Sequence, residues 1–195
     1  MKQNKILLTG KKIMMVFILL FSMTAFANTY KVDFAHSKVG FKIKHLMISN
    51  VVGYFEEFQG TYNYDPKTGM LKALEGTVKV KSVNTSVVKR DNDLRSNNFF
   101  DVEKYPNMKL KMTKFDADDI YVDLTIKDVT RNIKFEYESG GAVRDPWGNL
   151  RSAFSIEGKI SRKEFGITYN KVLEAGGVMI GDKVKINIEI EGIMK

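Results

Sequence analysis

The feature of this sequence that most constrains its fold is an alternation of apolar and polar residues with a period of two. It recurs from Val39 to His45, from Met108 to Thr113, from Ile120 to Lys127 and from Val184 to Glu191. Successive side chains of a β-strand point to opposite faces, so each run predicts a strand with one apolar face and one lysine-rich, solvated face. Such strands are typical of antiparallel sheets, and the sequence therefore predicts an all-β protein.

About eight strands are expected in total, because residues 54–64, 74–83, 133–137 and 154–160 also have strand character. Their apolar faces can be buried between the two sheets of a sandwich or inside a closed barrel, and the pattern fits both. The alternation is interrupted only around residues 85–105. A short helix or irregular segment is expected there, and Thr85 or Ser86 could cap the helix.

The first 27 residues predict a signal peptide. Four lysines and no acidic residue precede an apolar run from Ile13 to Met23, and Ala25-Phe26-Ala27 then provides a small-x-small cleavage site. The apolar run is shorter than the roughly 20 residues of a membrane-spanning helix. We therefore expect an exported protein whose single domain is 28–195. The periplasm is the expected compartment, with secretion into the medium as the alternative.

Composition excludes several kinds of chemistry. The chain has no Cys, which excludes thiolate catalysis, a Cys-ligated zinc site and lipoprotein attachment. The formal net charge of +8 includes four lysines of the predicted signal peptide, so nucleic-acid binding is not expected. No phosphate-binding loop or metal-ligand spacing is present, and the two histidines are too few for a usual metal site. We expect no cofactor.

Several short blocks occur in an order and spacing that resemble one family. The blocks, in chain order, are Asp33–Ser37, Val39–Phe41, Gly53–Phe55, Arg90–Arg95, Phe99–Val102 and Arg162–Gly166. From Thr29 to Met194 the chain resembles the YceI family of exported, lipocalin-like proteins that bind polyisoprenoids and related long-chain lipids. The resemblance implies an all-β, lipocalin-like antiparallel β-barrel that holds a polyisoprenoid, isoprenoid quinone or fatty-acyl lipid in its interior.

The resemblance and the alternation together predict the site residues. The inward-facing residues expected to contact the lipid chain are Val39, Phe41, Ile43, His45, Phe55, Leu94, Phe99, Phe100, Met108, Leu110, Leu124, Ile126, Phe135 and Phe154. The residues expected near the head group, at the barrel rim, are His36, Arg90 and Asp91. The expected partner is an amphiphilic lipid that a non-spanning protein could exchange with membranes, and the resemblance implies a homodimer.

Two other functions fit the same sequence. In the first, the barrel core is filled and the protein acts through its lysine-rich outer face in envelope stress or assembly. In the second, an enzyme acts on a lipid or quinone through His36, His45, Arg90 and Asp91. The sequence contains no recognisable catalytic motif, so we expect a binding protein and not an enzyme.

Overall fold

The computed structural model describes residues 28–172 and 176–195; the predicted signal peptide lies outside them. The described residues form eleven strands, numbered in chain order: β1 Thr29–Val32, β2 Lys38–His45, β3 Ser49–Phe55, β4 Phe58–Tyr64, β5 Leu71–Lys79, β6 Val83–Asn84, β7 Asn107–Asp116, β8 Asp119–Ile126, β9 Val129–Arg144, β10 Leu150–Ser161 and β11 Ile180–Met194. One α-helix, α1, spans Val88–Arg95, and short 3-10 helices span Phe34–His36, Val80–Ser82 and Arg162–Phe165.

The strands form a closed antiparallel barrel. β1 and β2 both pair with β11, so they act as one strand that the 3-10 helix at Phe34–His36 interrupts. In the same way β4 pairs with β1 while β3 pairs with β2, and the 3-10 helix at Val80–Ser82 divides β5 from β6. With each interrupted pair counted once, the barrel has eight strands, which confirms the predicted number and decides for a barrel over a sandwich.

The two ends of the barrel differ. At one end, called here the mouth end, His45 of β2 pairs with Ile180 of β11. At the opposite, far end, β1 pairs with the last residues of β11, up to Met194. Between the two ends, β6 pairs with Tyr54 and Phe55 of β3 while β5 pairs with β7, so the ladder divides from this level toward the mouth. In the chain, helix α1 comes directly after β6, at the point where the ladder divides.

The short helix was predicted, but neither predicted cap, Thr85 or Ser86, occupies its N-cap position. Val87 occupies the N-cap position and makes no side-chain cap bond. Thr85, a predicted cap, donates from both its backbone N–H and its hydroxyl to Asp91 inside the helix, at 2.9 and 2.5 Å. Thr85, which directly follows β6, therefore attaches α1 to the end of that strand through its two hydrogen bonds to Asp91. The Thr85 side chain is buried at this junction.

Aromatic side chains fill the far end of the barrel. Tyr30 stacks on Tyr62 with ring centroids 5.2 Å apart, and Tyr62 meets Phe154 edge-on at 5.0 Å. The Tyr62 hydroxyl donates to the carbonyl oxygen of Ser152 at 2.8 Å, so its polar atom is satisfied although the ring is buried. These rings close the barrel at the far end and leave the interior toward the mouth to be lined by aliphatic residues and Phe.

Candidate functional site

The barrel interior contains a cavity of about 830 Å³ that lies at the mouth end and is called here the outer cavity. Its walls come from β2, β3, β10 and β11, and α1 with the following residues covers it. The volume is within the range of roughly 300–1,000 Å³ that is usual for ligand pockets. The barrel core is therefore not filled, in contrast to the close packing of an ordinary protein interior.

A second, narrower cavity of about 110 Å³ lies deeper in the barrel and is called the inner cavity. Five side chains line both cavities, which places the two spaces end to end: Phe41, Phe55, Met108, Ile126 and Ile186. The inner cavity ends against Phe154, which packs on the tyrosines of the far end. The interior is thus a passage with a wide mouth and a narrow, apolar end.

The alternation along β2 explains why these residues face inward. Phe41, Ile43 and His45 line the outer cavity, and Lys42 between them is exposed. Gly53, on β3 opposite Phe41, makes room for the Phe41 ring. A Cβ at Gly53 would lie 2.4 Å from Phe41 Cζ and 2.8 Å from the Thr85 methyl carbon, so any larger residue would displace the ring.

All fourteen residues predicted to contact a lipid chain line at least one of the two cavities. Those around the outer cavity are Phe41, Ile43, His45, Phe55, Leu94, Phe99, Phe100, Met108 and Ile126. Those found only around the inner cavity are Val39, Leu110, Leu124, Phe135 and Phe154. The structure thereby establishes their position, and their contact with a lipid stays a prediction.

Part of the wall of the outer cavity was not predicted from the sequence. The additional apolar residues there are Val51, Val87, Ile160, Phe165, Ile167, Met179, Ile180, Val184 and Ile186. The alternation of β10 and β11 could have identified Ile160, Val184 and Ile186, since they belong to runs whose inward parity was visible. Val51 of β3 and Ile180 at the start of β11 lie outside the runs whose alternation was visible. The others lie in turns, short helices or irregular segments, where no period of two indicates which side faces inward.

Arg90 lies at the mouth, but Asp91 does not line the cavity. Arg90 donates from Nε to the Thr85 hydroxyl at 2.7 Å and from Nη2 to the Thr85 carbonyl at 2.9 Å. Asp91 is buried, and its Oδ1 accepts the two bonds from Thr85 described above. The predicted role of Asp91 at the head group is therefore wrong in position, because the carboxylate holds the strand–helix junction. Arg90 remains available at the mouth.

A second arginine of the cavity wall, Arg162, was missed. It is buried, and its guanidinium donates to the carbonyl oxygens of Gly181, Ile167 and Tyr169 at 2.9, 2.7 and 2.8 Å. Desolvation lowers its pKa below the ordinary value, and the charge of Asp182 opposes this effect. These hydrogen bonds join the residue after β10 to the segment before β11 and to the start of β11 itself. They also place a cation beside the apolar cavity.

His36 lies at the far end, away from the mouth. Its Nδ1 is 2.9 Å from the Asp33 carboxylate, which also accepts from Arg151 Nη1 at 2.8 Å. Arg151 and, to a lesser extent, His36 hold the pKa of Asp33 below its ordinary value. At about 3.3 Å per residue, β2 separates His36 from His45 by roughly 25 Å. The predicted placement of His36 on the same rim as Arg90 is therefore wrong.

The residues that could ligate a cation belong to the same group of charged side chains around Asp33 at the far end. In the part of the chain that the structure describes, Asp33, His36 and Glu191 lie close enough to share one. Arg151, however, already donates to Asp33 and to Glu191, at 2.8 and 2.7 Å. It also forms an ion pair with Asp145 at 2.8 Å. The cluster is therefore an ion-pair network that links the start of the barrel to its last strand.

The fold and the passage together define a class: a closed, lipocalin-like barrel with an apolar cavity of ligand size. The family of the YceI-like domain matches residues 30–192. The chain belongs to the YceI family. Among the described residues, the structure has no helix whose length and apolar character would let it span a membrane.

The relatives and solved structures agree with this assignment. A UPF0312 protein of Staphylococcus epidermidis is 36% identical over 165 residues, which is 83% of this chain and 95% of that protein. The YceI protein of Campylobacter jejuni is 37% identical, with a TM-score of 0.68 over 84% of this chain and 96% of its own. A polyisoprenoid binding domain from Saccharophagus degradans shares the fold, with a TM-score of 0.66 over 85% of this chain and 98% of its own, at 14% identity.

Proposed function

We propose that this protein binds and carries a long-chain amphiphilic lipid in an extracytoplasmic compartment. The ligand class is a polyisoprenoid, an isoprenoid quinone or a fatty-acyl derivative. The observation that carries the proposal is the apolar passage, in which the outer cavity of about 830 Å³ continues into the inner cavity of about 110 Å³. The related fold of a polyisoprenoid binding domain supports the same ligand class.

The distribution of polar groups gives the lipid a direction. Arg90, His45 and Arg162 lie around the outer cavity, whereas the inner cavity ends in Phe135 and Phe154. A chain that enters tail first loses contact with water along its length, and each buried methylene contributes about 0.8 kcal/mol. The polar head then stays at the mouth, where hydrogen-bond donors and water are available.

The two other functions have less support. A filled-core interaction protein would not need a passage of this volume, since ordinary cores contain few voids larger than a water molecule. The enzyme hypothesis requires His36, His45, Arg90 and Asp91 to act together. His36 lies at the far end and Asp91 is engaged by Thr85, so this group does not assemble. We infer a binding function without a catalytic step.

Mass spectrometry of the protein purified from its own cells tests both the binding of a lipid and the export of the protein. Under native conditions we expect a stoichiometric adduct that organic solvent removes and whose mass identifies a long prenyl or acyl chain. The denatured mass should correspond to a chain that begins at Asn28, as the signal-peptide prediction requires. An empty protein that also fails to take up added long-chain lipids would contradict carriage. A mass that includes residues 1–27 would contradict the proposed export by cleavage.

A further inference from the structure

Exposed apolar side chains collect on two sides of the cavity mouth. Leu46, Met47 and Ile48 form the turn between β2 and β3, and the side chain of Ile48 is 83% exposed. Val87 and Val88, at the start of α1, are also exposed, Val88 to 75%. These five residues are called here the mouth patch. Single exposed apolar residues are common on protein surfaces, but a cluster beside a binding cavity indicates an interaction site.

Hydrogen bonds and cavity contacts hold the mouth patch next to the opening. The Leu46 N–H donates to the carbonyl oxygen of Met179 at 2.8 Å, and Met179 lines the outer cavity. His45, which precedes the turn, and Val87 of the patch also line that cavity. A surface that contacts the patch would therefore be in front of the opening.

The backbone of the turn adds an independent observation. The Ile48 N–H donates to the His45 carbonyl at 3.2 Å and closes a four-residue turn whose two central residues are Leu46 and Met47. This turn lies within the three-residue loop between the paired residues His45 and Ser49. Both have positive φ, 51° and 62°, as in a type I′ turn. Asn-Gly is strongly preferred there, because bulky side chains are unfavourable in left-handed backbone. The chain thus places two large apolar residues where folding favours Asn-Gly, which points to a contact made by their side chains.

The charges around the mouth identify the kind of surface. Lys44, Lys89 and Arg90 line the outer cavity at its opening, and Lys44 and Lys89 are exposed. Asp93 is the acidic residue among the described residues of this lining. Apolar side chains combined with lysine and arginine are typical of proteins that bind the surface of membranes containing anionic lipids.

We propose that the mouth patch docks the protein onto an anionic membrane surface. Leu46, Met47 and Ile48 enter the interfacial region, Lys44 and Lys89 meet the head groups, and the opening of the barrel faces the bilayer. In this orientation a lipid chain passes between the membrane and the cavity with little exposure to water. The docking goes beyond the proposed function, and only its use for loading a lipid rests on that function.

The double variant Leu46→Asn/Met47→Gly tests the proposal without weakening the fold. It replaces the apolar turn with the residues that a type I′ turn prefers, so we expect the melting temperature to stay the same or rise. Flotation with vesicles of equal parts phosphatidylglycerol and phosphatidylcholine should show binding weaker than wild type by about tenfold or more. Wild type should bind vesicles of phosphatidylcholine alone less well, since their surface lacks the negative charge.

A matched control is available at the other end of the barrel. Trp147 lies in the turn between β9 and β10 at the far end, and its ring is 80% exposed. Trp147→Ser therefore removes a large exposed apolar group without touching the mouth patch, and its vesicle binding should equal that of wild type. Equal loss in both variants would mean that exposed apolar area in general causes the binding, and this would overturn the proposal.

The same tryptophan reports the orientation, because it is the only one in the sequence. With vesicles that contain brominated lipid, we expect the fluorescence of Trp147 to stay unquenched while the protein floats with the vesicles. Met47→Trp in a Trp147→Phe background should be quenched and blue-shifted. Quenching of Trp147 in the wild type would show docking by the far end and would overturn the proposal.

Three further outcomes distinguish membrane docking from dimerisation and from lipid carriage. Unchanged vesicle binding by Leu46→Asn/Met47→Gly, together with loss of a dimer in sedimentation, would assign the mouth patch to a second copy of the chain and overturn membrane docking. The vesicle phospholipids themselves carry acyl chains, so lipid taken up from the vesicles is measured separately, by mass spectrometry of the protein recovered after flotation. An empty protein that still docks would overturn the proposed function alone, and a loaded protein that does not dock would overturn this inference alone.

Discussion

The substitution Ile43→Asp tests the passage most directly. Ile43 lies on β2 between Val51 of β3 and Val184 of β11, and its half-buried side chain lines the outer cavity. An aspartate at this position keeps the backbone ladder and faces an open cavity, where water can hydrate the carboxylate. We expect the free energy of unfolding to fall by only about 1 kcal/mol, as for a poor strand former.

Lipid binding by the same variant should fall much more. A chain in the outer cavity would remove water from the carboxylate, and the effective penalty for burying an unpaired ion is several kcal/mol. With a penalty of about 4 kcal/mol, the dissociation constant rises about a thousandfold, because each 1.4 kcal/mol corresponds to a factor of ten. Displacement of a fluorescent long-chain fatty acid, measured by titration, gives this ratio.

Three controls separate the desolvation of the carboxylate from a general loss of structure. Val52→Asp introduces the same group on β3 opposite Lys42, at a side chain that is 58% exposed, and should leave the affinity unchanged. The affinity of Ile43→Asp should recover as the pH falls toward about 4, where the carboxyl, with an ordinary pKa of about 3.9, becomes protonated. Ile43→Asn should lose less affinity and show no such recovery. If folded Ile43→Asp binds with wild-type affinity, the chain does not occupy the outer cavity.

Three further predictions concern the length of the bound chain, Arg162 of the cavity wall and Arg151 of the ion-pair network at the far end. For a homologous series of fatty acids, the dissociation constant should fall about fourfold per added methylene, because each methylene contributes about 0.8 kcal/mol. The fall should level off once both cavities are filled. A dissociation constant that does not depend on chain length would contradict burial of the chain. Arg162→Met should lower the free energy of unfolding in urea by about 3 kcal/mol, because it leaves three carbonyl acceptors without their donor; an unchanged midpoint would refute this role. Arg151 holds the pKa of Asp145 at about 2, so the stability from this pair is present above the unfolded pKa of about 3.9 and is lost as the pH falls through about 2. Arg151→Met should therefore lower the urea midpoint at about pH 5 and reduce its further fall toward about pH 2; a fall as steep as in wild type would contradict the linkage.

Much of the barrel could be predicted because the alternation is a local property. Val184 to Glu191 alternates without interruption, and the structure has β11 there with the apolar residues inward. The interruptions at Phe34–His36 and Val80–Ser82 were not predicted, because each 3-10 helix spans only three residues. Such short turns are formed to redirect a strand between two neighbours, and that requirement depends on the closed sheet.

The polar residues were harder to assign than the apolar ones. Asp91, in a charged run, had the character of an exposed group, yet it is buried because Thr85 donates two hydrogen bonds to it. Arg162 follows an alternating strand and ends buried among carbonyl groups that come from elsewhere in the chain. Burial of a charge depends on such distant partners, and no local pattern reveals them.

The sequence by itself determined the all-β class, the number of strands and the face that each strand turns inward. These properties follow from a side-chain period of two and hold for any antiparallel arrangement that buries one face. The tertiary structure alone decided that the sheet closes, that aromatic rings fill one end, and that a passage remains toward the other. It also decided that Arg90 and His45 share the mouth while His36 lies at the far end. Volume and position along the barrel axis depend on the register of all eight strands together, and each strand alone carries only its own alternation.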